Sequence, residues 1–217
     1  MKRYARDTIL FDLDGTLINS VPFIVMQLKW FYQKYGRVIK TVDQIKQMLG
    51  PPEERILASQ FGEMMAATYV AQYSEFLRIQ SASLGVPNVR DFFGELHRRG
   101  IAIGVVTNKS TFLAEQTLDA LDIGEFIDNL VAGDMGIPIK PAPDGIIHAM
   151  KNLDADAATT LMVGDTLSDK GATVASGVAF VHGLWFSTEA LCVECEYDCD
   201  DFIEFENNLL QRTAKGK

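Results

Sequence analysis

The chain contains little of what marks a disulfide scaffold, a membrane protein or a nucleic-acid-binding protein. It has three cysteines in 217 residues, Cys192, Cys195 and Cys199. Three thiols lack a fourth metal ligand, and we expect them to be reduced, on a final helix or loop. No apolar run is long enough for a signal peptide or a membrane span, so we expect a cytoplasmic protein without a membrane partner. The net charge of -9 argues against nucleic acid, which needs a basic face.

The chain does have enough apolar material for a substantial core. At 217 residues and 47% hydrophobic, it suits one domain with an insertion or two small domains. Its charge is uneven, because residues 20–85 carry a net +2 and the remainder therefore carries -11. The sign of its net charge distinguishes residues 20–85 from the rest of the chain, so we interpret this segment separately.

Residues 18–85 have the pattern of a small helical bundle. From "VPFIVMQLKWFYQKYG" onward the apolar spacing is helical. Thr41 and Gln44 have the spacing of a capping box, and Pro52 suits a first helical turn. The expected helix ends are Gly36, Gly50, Gly62 and Gly85. We predict about four helices here and no strand.

After Pro87, strand-like and helix-like segments alternate, which is typical of a parallel sheet with crossover helices. The strand-like segments are "IAIGVVTN", "NLVAGD", "TTLMVGD" and "VAFVHGLW", and with "TILFDLD" they make about five strands. We therefore predict an α/β core domain over residues 1–17 and 86–217. A helical domain over residues 18–85 interrupts it just after the first strand.

Polar side chains follow several of these strands at the point where each strand ends. They are Asp12 and Asp14 after the first strand, Thr107 and Asn108 after the second, Asp165 and Asp169 after the fourth, and Lys140 before the helix that leads to the fourth. Ligands of doubly wound sheets bind beyond the carboxyl ends of the strands. We therefore expect four separate segments to meet in one crevice.

Each motif also has an ordinary structural interpretation. "DGT" is a common turn, Asn108 or Ser110 could cap a helix, and Asp165 or Ser168 could cap the next one. Lys140 could be a solvated loop lysine. We favour a functional site because the motifs occur together and in this order.

The set of residues suits phosphoryl transfer. Asp12 can attack phosphorus and form an aspartyl-phosphate, because a carboxylate needs no deprotonation at neutral pH. Asp14 can give a proton to the leaving oxygen and later take one from water. Oxygen ligands from Asp12 and Asp165, with help from Asp169, suit Mg²⁺, which is a hard cation.

Electrostatics favour the same assignment. Three carboxylates and a phosphate dianion carry about -5, which Mg²⁺ and Lys140 would offset by about +3. Thr107 and backbone N–H groups can donate to the phosphoryl oxygens. Gly15 lets the chain turn closely past the phosphoryl site, where a side chain would obstruct it.

The motifs "DLDGTL", "VVTNK", "KPAPD" and "VGDTLSD", in this order and on these elements, resemble the four signature motifs of the haloacid dehalogenase (HAD) superfamily. The helical insert is similar to the cap of its phosphoglycolate phosphatase and β-phosphoglucomutase group. "LGPPEERIL", "VVTNKS" and "KPAPDG" look closest to the phosphoglycolate phosphatase branch. The resemblance implies a Rossmann-like (HAD-like) parallel sheet with an inserted α-helical cap domain.

The resemblance also implies roles for individual residues. It implies a nucleophile at Asp12, an acid/base at Asp14, phosphate contacts from Thr107 and Lys140, and Mg²⁺ held by Asp12, the Asp14 carbonyl and Asp165 with Asp169 in support. Many relatives have Asp-Ser where this chain has Asn19-Ser20, which changes a polar contact at the cap hinge. Neither this departure nor Lys170, at a usually apolar position, removes a catalytic group.

Substrate choice should lie in the cap, whose closure would exclude water and contact the leaving group. Its net +2 suits a substrate with more than one negative charge. Arg55 is the first candidate for a leaving-group contact and Lys109 the second. Gly15, Thr16 and Asn108 complete the predicted substrate-binding set.

The observations favour a Mg²⁺-dependent phosphatase acting on a small phosphorylated metabolite such as phosphoglycolate. A phosphomutase of the β-phosphoglucomutase type uses the same residues and stays open as an alternative. A non-catalytic binding module on the same fold is a further alternative, although it predicts a damaged catalytic position, and none is seen. The sequence does not distinguish a monomer from a homodimer.

Overall fold

The computed structural model describes residues 7–186 and 197–213. The strands in this part of the chain are β1 (Thr8–Phe11), β2 (Ala102–Val106), β3 (Asn129–Val131), β4 (Thr160–Gly164), β5 (Ala179–Gly183) and β6 (Tyr197–Cys199). They form one parallel sheet in the order β3-β2-β1-β4-β5-β6. The predicted parallel α/β sheet is confirmed, and β6 is one strand beyond the five that were expected.

Strand β1 lies inside the sheet between β2 and β4, which accounts for its mostly apolar composition. All four of its residues are buried, as in strands that are covered on both faces. Leu10 pairs in register with Gly104 on one side and Met162 on the other. Because the strands run parallel, the residues that follow β1, β2 and β4 lie at the same edge of the sheet.

Four helices follow β1 directly along the chain. They are α1 (Val21–Lys34), α2 (Val42–Lys46), α3 (Glu53–Phe61) and α4 (Glu63–Leu84). Thr41 caps α2 in the predicted box with Gln44, whereas Pro52 precedes α3 as its N-cap residue. All four helices fall within residues 18–85, and the division of the chain into two domains at these boundaries stays a prediction.

The chain leaves the sheet and returns to it at one narrow place, which we call the neck. Ile18 forms an antiparallel bridge with Gly85. The Asn19 N–H donates to the Leu84 carbonyl at 2.8 Å, and the Val86 N–H donates to the Leu17 carbonyl at 3.1 Å. The two ends of the helical segment are therefore hydrogen-bonded to each other, four residues beyond Asp14.

The remaining α-helices of the described residues are α5 (Val89–Arg98), α6 (Thr111–Ala120), α7 (Asp144–Asn152), α8 (Leu167–Ser176) and α9 (Phe202–Thr213). Helices α5 to α8 each precede a strand, as the alternating pattern predicts, and α9 follows β6. Because β1 is pleated, its successive side chains point to opposite faces of the sheet and join different hydrophobic cores. Phe11 contacts Phe92 and Phe93 of α5, while Leu10 joins a second core with Ile146 of α7.

The C-terminal segment forms both a strand and a helix, where only a helix or loop was expected. Cys199 is buried at the end of β6, and Phe202 and Phe205 of α9 are buried beside Phe92. Cys192 and Cys195 lie outside the described residues. Among residues 7–186 and 197–213, none of the helices has the length and apolarity needed to cross a membrane.

Candidate active site

Side chains from three segments meet at the carboxyl edge of the sheet. Lys140 Nζ lies 2.6 Å from Asp12 Oδ1, 2.5 Å from Asp169 Oδ1 and 2.7 Å from the Val106 carbonyl oxygen. All three charged residues are buried. Lys140 comes from the loop between β3 and α7, and the interpretation of it as a solvated loop lysine is wrong.

Asn108 holds the backbone of that loop. Its Nδ2 donates to the Lys140 carbonyl at 2.9 Å, and its Oδ1 accepts the Lys140 N–H at 3.0 Å. The alternative in which Asn108 caps a helix is wrong, because Ser110 is the N-cap residue of α6 and makes no side-chain cap bond. Asn108 thus positions Lys140, and a substrate contact from Asn108 stays a prediction.

Three carboxylates form a compact group around Lys140, which we call the acidic cluster. Asp12, Asp165 and Asp169 each offer an oxygen atom, and these atoms all lie within 4.8 Å of one another. One lysine therefore faces three carboxylates, an excess of two negative charges among these described residues. The oxygen-only donor set and this charge fit a hard divalent cation such as Mg²⁺.

The pKa values of the residues in the acidic cluster reflect the same excess of negative charge. Burial raises the pKa of Asp12 to about 7, although Lys140 lowers it. Burial, with the charges of Asp169 and Asp12, raises the pKa of Asp165 well above its usual range. Burial alone would lower the pKa of Lys140, but Asp12 and Asp169 raise it above its ordinary value. The acidic cluster therefore carries more negative than positive charge, which is typical of sites that bind a cation.

Asp169 also belongs to the first turn of helix α8. Its Oδ2 accepts the Thr166 N–H at 3.0 Å and the Thr166 hydroxyl, and Thr166 Oγ1 accepts the Asp169 N–H at 3.2 Å. This capping box fixes one carboxylate oxygen while the other meets Lys140. Thr166 is therefore the cap, and the alternatives of Asp165 and Ser168 are wrong. The T-x-x-D spacing is the sequence signal that identifies it.

The turn after β1 holds Asp165 in place. Thr16 Oγ1 donates to Asp165 Oδ1 at 3.2 Å. Gly15 has a φ of +84°, and a Cβ added there would lie 2.2 Å from Asp165 Oδ2. Glycine is thus required both by the backbone conformation and by the close approach of Asp165.

Gly15→Ala is expected to lower the free energy of unfolding by about 1–3 kcal/mol and to displace Asp165. The matched control is Gly36→Ala, where φ is +61° and a Cβ would meet nothing within 4 Å. That control carries the backbone strain without the clash. Urea unfolding and Mg²⁺ titration of both variants check this, and equal Mg²⁺ affinity in the two would contradict it.

Asp14 lies two residues beyond Asp12, and its carboxylate contacts a different set of groups. Its Oδ1 accepts hydrogen bonds from Ser20 Oγ and, at 3.1 Å, from the Tyr73 hydroxyl. Lys109 Nζ lies 2.9 Å from its Oδ2. Ser20 precedes α1 and Tyr73 belongs to α4, so the helical segment helps to position Asp14. A metal contact through the Asp14 carbonyl stays a prediction.

Lys109 is a buried residue with two carboxylates near it. Its side chain is fully buried, and Glu53 Oε2 lies 3.7 Å from its Nζ. Its Nζ also lies 4.2 Å from the centre of the Tyr73 ring. Burial raises the pKa of Glu53 to about 7, although Lys109 lowers it. Arg55, the first predicted leaving-group contact, is exposed on the same helix as Glu53.

Sequence reasoning missed several groups at this edge. Trp185 Nε1 donates to the Thr16 carbonyl at 2.7 Å, and His182 Nε2 lies 3.1 Å from the Asp165 carbonyl oxygen. His182 could have been found from its position at the carboxyl end of β5, next to β4. No sequence pattern indicates that Glu53 approaches Lys109 or that Tyr73 approaches Asp14, because both contacts depend on how the helices pack against the sheet.

The fold and the site together define an α/β enzyme with a buried, carboxylate-rich centre at the carboxyl edge of a parallel sheet. A profile of the haloacid dehalogenase-like hydrolases matches residues 9–182. The chain belongs to this family.

Related sequences agree with that assignment, and a solved structure shares the fold. The chain is 30% identical over 190 residues to a phosphoglycolate phosphatase of Pseudomonas syringae pv. syringae, covering 80% of this chain and 67% of that protein. It is 32% identical to a phosphoglycolate phosphatase of Xylella fastidiosa, covering 82% and 80%. The crystal structure of CbbY from Rhodobacter sphaeroides in complex with phosphate has the same fold, with a TM-score of 0.75, 21% identity and coverage of 92% and 96%.

Proposed function

We propose that the chain is a Mg²⁺-dependent phosphatase that hydrolyses a small phosphomonoester similar to phosphoglycolate. The observation that carries the proposal is the position of Asp12, buried at the end of β1 and 2.6 Å from Lys140 in the acidic cluster. Asp14 follows two residues later with its own hydrogen-bond donors. The relatives named phosphoglycolate phosphatases support the choice of substrate class.

In the proposed reaction, Asp12 and Asp14 divide the chemistry. A carboxylate oxygen of Asp12 attacks phosphorus, and the bond from phosphorus to the leaving oxygen breaks. Asp14 gives its proton to that oxygen, which leaves as an alcohol. Asp14 then takes a proton from water, and the water oxygen attacks the same phosphorus. The bond between phosphorus and the Asp12 oxygen breaks, phosphate leaves, and Asp12 returns as a carboxylate.

The neighbouring groups bind and orient the phosphoryl group. Lys140 partly offsets the charge of Asp12 and Asp169. Thr107 Oγ1 accepts the Lys109 N–H at 3.2 Å, so its hydroxyl proton can point to a phosphoryl oxygen. Asp12, Asp165 and Asp169 would hold Mg²⁺, which when bound supplies positive charge for the phosphoryl oxygens.

Removal of divalent cations is expected to lower phosphate release by at least about 100-fold, because two negative charges of the acidic cluster would then be uncompensated. EDTA treatment followed by Mg²⁺ addition, with thermal melting in parallel, tests this. Mg²⁺ should restore activity and raise the melting temperature, since it binds only the folded cluster. Asp165→Asn should lose both effects, whereas Asp156→Asn, at an exposed position, should keep them. Full activity in EDTA would contradict the proposal.

The substrate test is phosphate release from a panel of phosphoglycolate, sugar phosphates and nucleotides with Mg²⁺. Release that requires both Mg²⁺ and Asp12 supports the phosphatase. A product that is an isomeric sugar phosphate, without free phosphate, would instead identify the phosphomutase alternative.

A further inference from the structure

Trp185 lies just after β5, and its side chain reaches the turn that follows β1. The indole Nε1 donates to the Thr16 carbonyl at 2.7 Å. Thr16 is fully buried, and its own hydroxyl donates to Asp165 Oδ1 at 3.2 Å. Trp185 and Asp165 are therefore connected through the main chain and the side chain of one residue. The reaction as described gives Trp185 no role.

The turn that Trp185 contacts limits where the Asp165 carboxylate can lie. A Cβ added at Gly15 would lie 2.2 Å from Asp165 Oδ2 and 3.0 Å from its Oδ1, so the main chain of the turn lies close to both oxygens. Mg²⁺ requires nearly ideal octahedral geometry from its ligands. A small displacement of Gly15 and Thr16 would therefore change how well Asp165 can bind the cation.

The main chain of Asp165 has a separate support. His182 Nε2 lies 3.1 Å from the Asp165 carbonyl oxygen, and His182 is buried at the end of β5. A carbonyl oxygen only accepts hydrogen bonds, so Nε2 carries the proton in this contact. Because His182 holds the main chain, a change at Trp185 would act on the Asp165 carboxylate through Thr16.

The C-terminal segment holds Trp185 in this position. The Leu184 N–H donates to the Cys199 carbonyl of β6 at 2.8 Å. The Trp185 ring packs edge-on against Phe202 of α9, with 5.2 Å between the ring centres, and lies 5.7 Å from the centre of the Phe205 ring. Strand β6 and helix α9 thus fix the ring whose N–H reaches Thr16.

We propose that Trp185 is a positioning residue for the cation site: by holding Thr16, it keeps the Asp165 carboxylate where it can bind Mg²⁺. The inference rests on the proposed Mg²⁺-dependent function and adds to it a residue outside the four sequence motifs. Groups that orient metal ligands typically change metal affinity 10–100-fold when they are lost. Trp185 acts through Thr16, so we expect an effect at the lower end of that range.

Trp185→Phe tests this, because it removes the indole N–H and keeps an aromatic ring beside Phe202. The dissociation constant for Mg²⁺ alone, measured by isothermal titration calorimetry, should rise about tenfold. The melting temperature in EDTA reports stability separately from metal binding. Trp30→Phe, at the other tryptophan of the chain and exposed on α1, is the matched control and should leave the dissociation constant unchanged.

A double-mutant cycle tests the route through Thr16. Thr16→Val keeps the shape and the carbonyl of Thr16 but removes the hydroxyl that holds Asp165. It should raise the Mg²⁺ dissociation constant by itself. Adding Trp185→Phe should then raise the constant by less than about twofold more, because the connection is already broken. Fully additive effects would overturn the inference, since Trp185 would then act by another route.

Gly183→Ala is a second variant that moves the indole without removing its N–H. An added Cβ would lie 2.5 Å from the Trp185 ring, so the ring would have to shift away from its present position. The Mg²⁺ dissociation constant should rise here as well, and this variant decides the question if Trp185→Phe does not fold.

A lower melting temperature in EDTA with an unchanged Mg²⁺ dissociation constant, in Trp185→Phe or in Gly183→Ala, would overturn the inference and leave Trp185 a purely structural role. A wild type that does not bind Mg²⁺ would overturn the inference and the Mg²⁺ dependence together. A wild type that binds Mg²⁺ but releases no phosphate from any ester would overturn the phosphatase function alone, because metal affinity is measured without substrate.

Discussion

Asp12→Asn is expected to lower kcat for phosphate release by at least about 10⁴-fold, because an amide cannot form the aspartyl-phosphate. The fold should persist, since the substitution keeps the shape and removes one of three mutually repelling carboxylates. Phosphate release under saturating substrate and Mg²⁺ measures the first effect, and thermal melting measures the second.

The matched control is Asp7→Asn, an exposed aspartate just before the opposite end of β1. Its activity should equal that of the wild type. A fall of less than tenfold in Asp12→Asn would remove Asp12 as the nucleophile. Rapid acid quenching of the wild type should in addition leave phosphate covalently attached to Asp12.

Lys140→Met is expected to affect both stability and activity. The substitution leaves the buried carboxylates of Asp12 and Asp169 without their shared ammonium. Removing one partner of a buried ion pair lowers the free energy of unfolding by about 3–5 kcal/mol. We also expect kcat to fall at least about 100-fold, because the charge that offsets Asp12 is lost. Urea unfolding and phosphate release, each with and without Mg²⁺, measure the two effects.

Lys151→Met is the control for this change, because Lys151 is an exposed lysine in the last turn of α7. It should unfold within about 0.5 kcal/mol of the wild type. If Lys140→Met were as stable and as active as this control, the structural role given to Lys140 would be wrong.

The parallel sheet could be predicted because its signal is local. The buried strand β1 is a run of apolar residues, and the helices after β2 and β3 have clear apolar spacing, so their order follows from the sequence alone. Strand β6 could not be predicted from its acidic sequence. It exists because it pairs with β5, a contact between segments that sequence periodicity does not report.

The candidate site could be predicted in part, because the ends of the strands can be recognised from the sequence but the contacts between side chains cannot. The strand ends identified Asp12, Asp165 and Asp169, because the carboxyl edge of a parallel sheet gathers such residues. Lys140 was identified by its position before the helix that leads to the fourth strand. Which oxygen meets which donor depends on turns and caps. Among these contacts, the cap of α8 has a sequence signal, the T-x-x-D spacing of Thr166 and Asp169. The roles of these residues in catalysis stay predictions.

Glu53 shows where prediction from sequence stops. Its position at the start of α3 suggests a helix-terminal carboxylate at the surface, which is the common position for such a residue. Instead Glu53 is buried near Lys109, a residue that follows it by more than fifty positions in the sequence. That approach depends on how α3 and α4 pack beside the loop after β2.

The neck between Ile18 and Gly85 has a consequence for how proteins of this kind diversify. Because the two chain segments are already hydrogen-bonded side by side, a turn of a few residues could join them. The stretch that carries α1–α4 could therefore be shortened, lengthened or exchanged without changing the order of the strands. Grafting at this point would replace the surroundings of the leaving alcohol and leave Asp12, Lys140 and Asp165 on an unaltered scaffold.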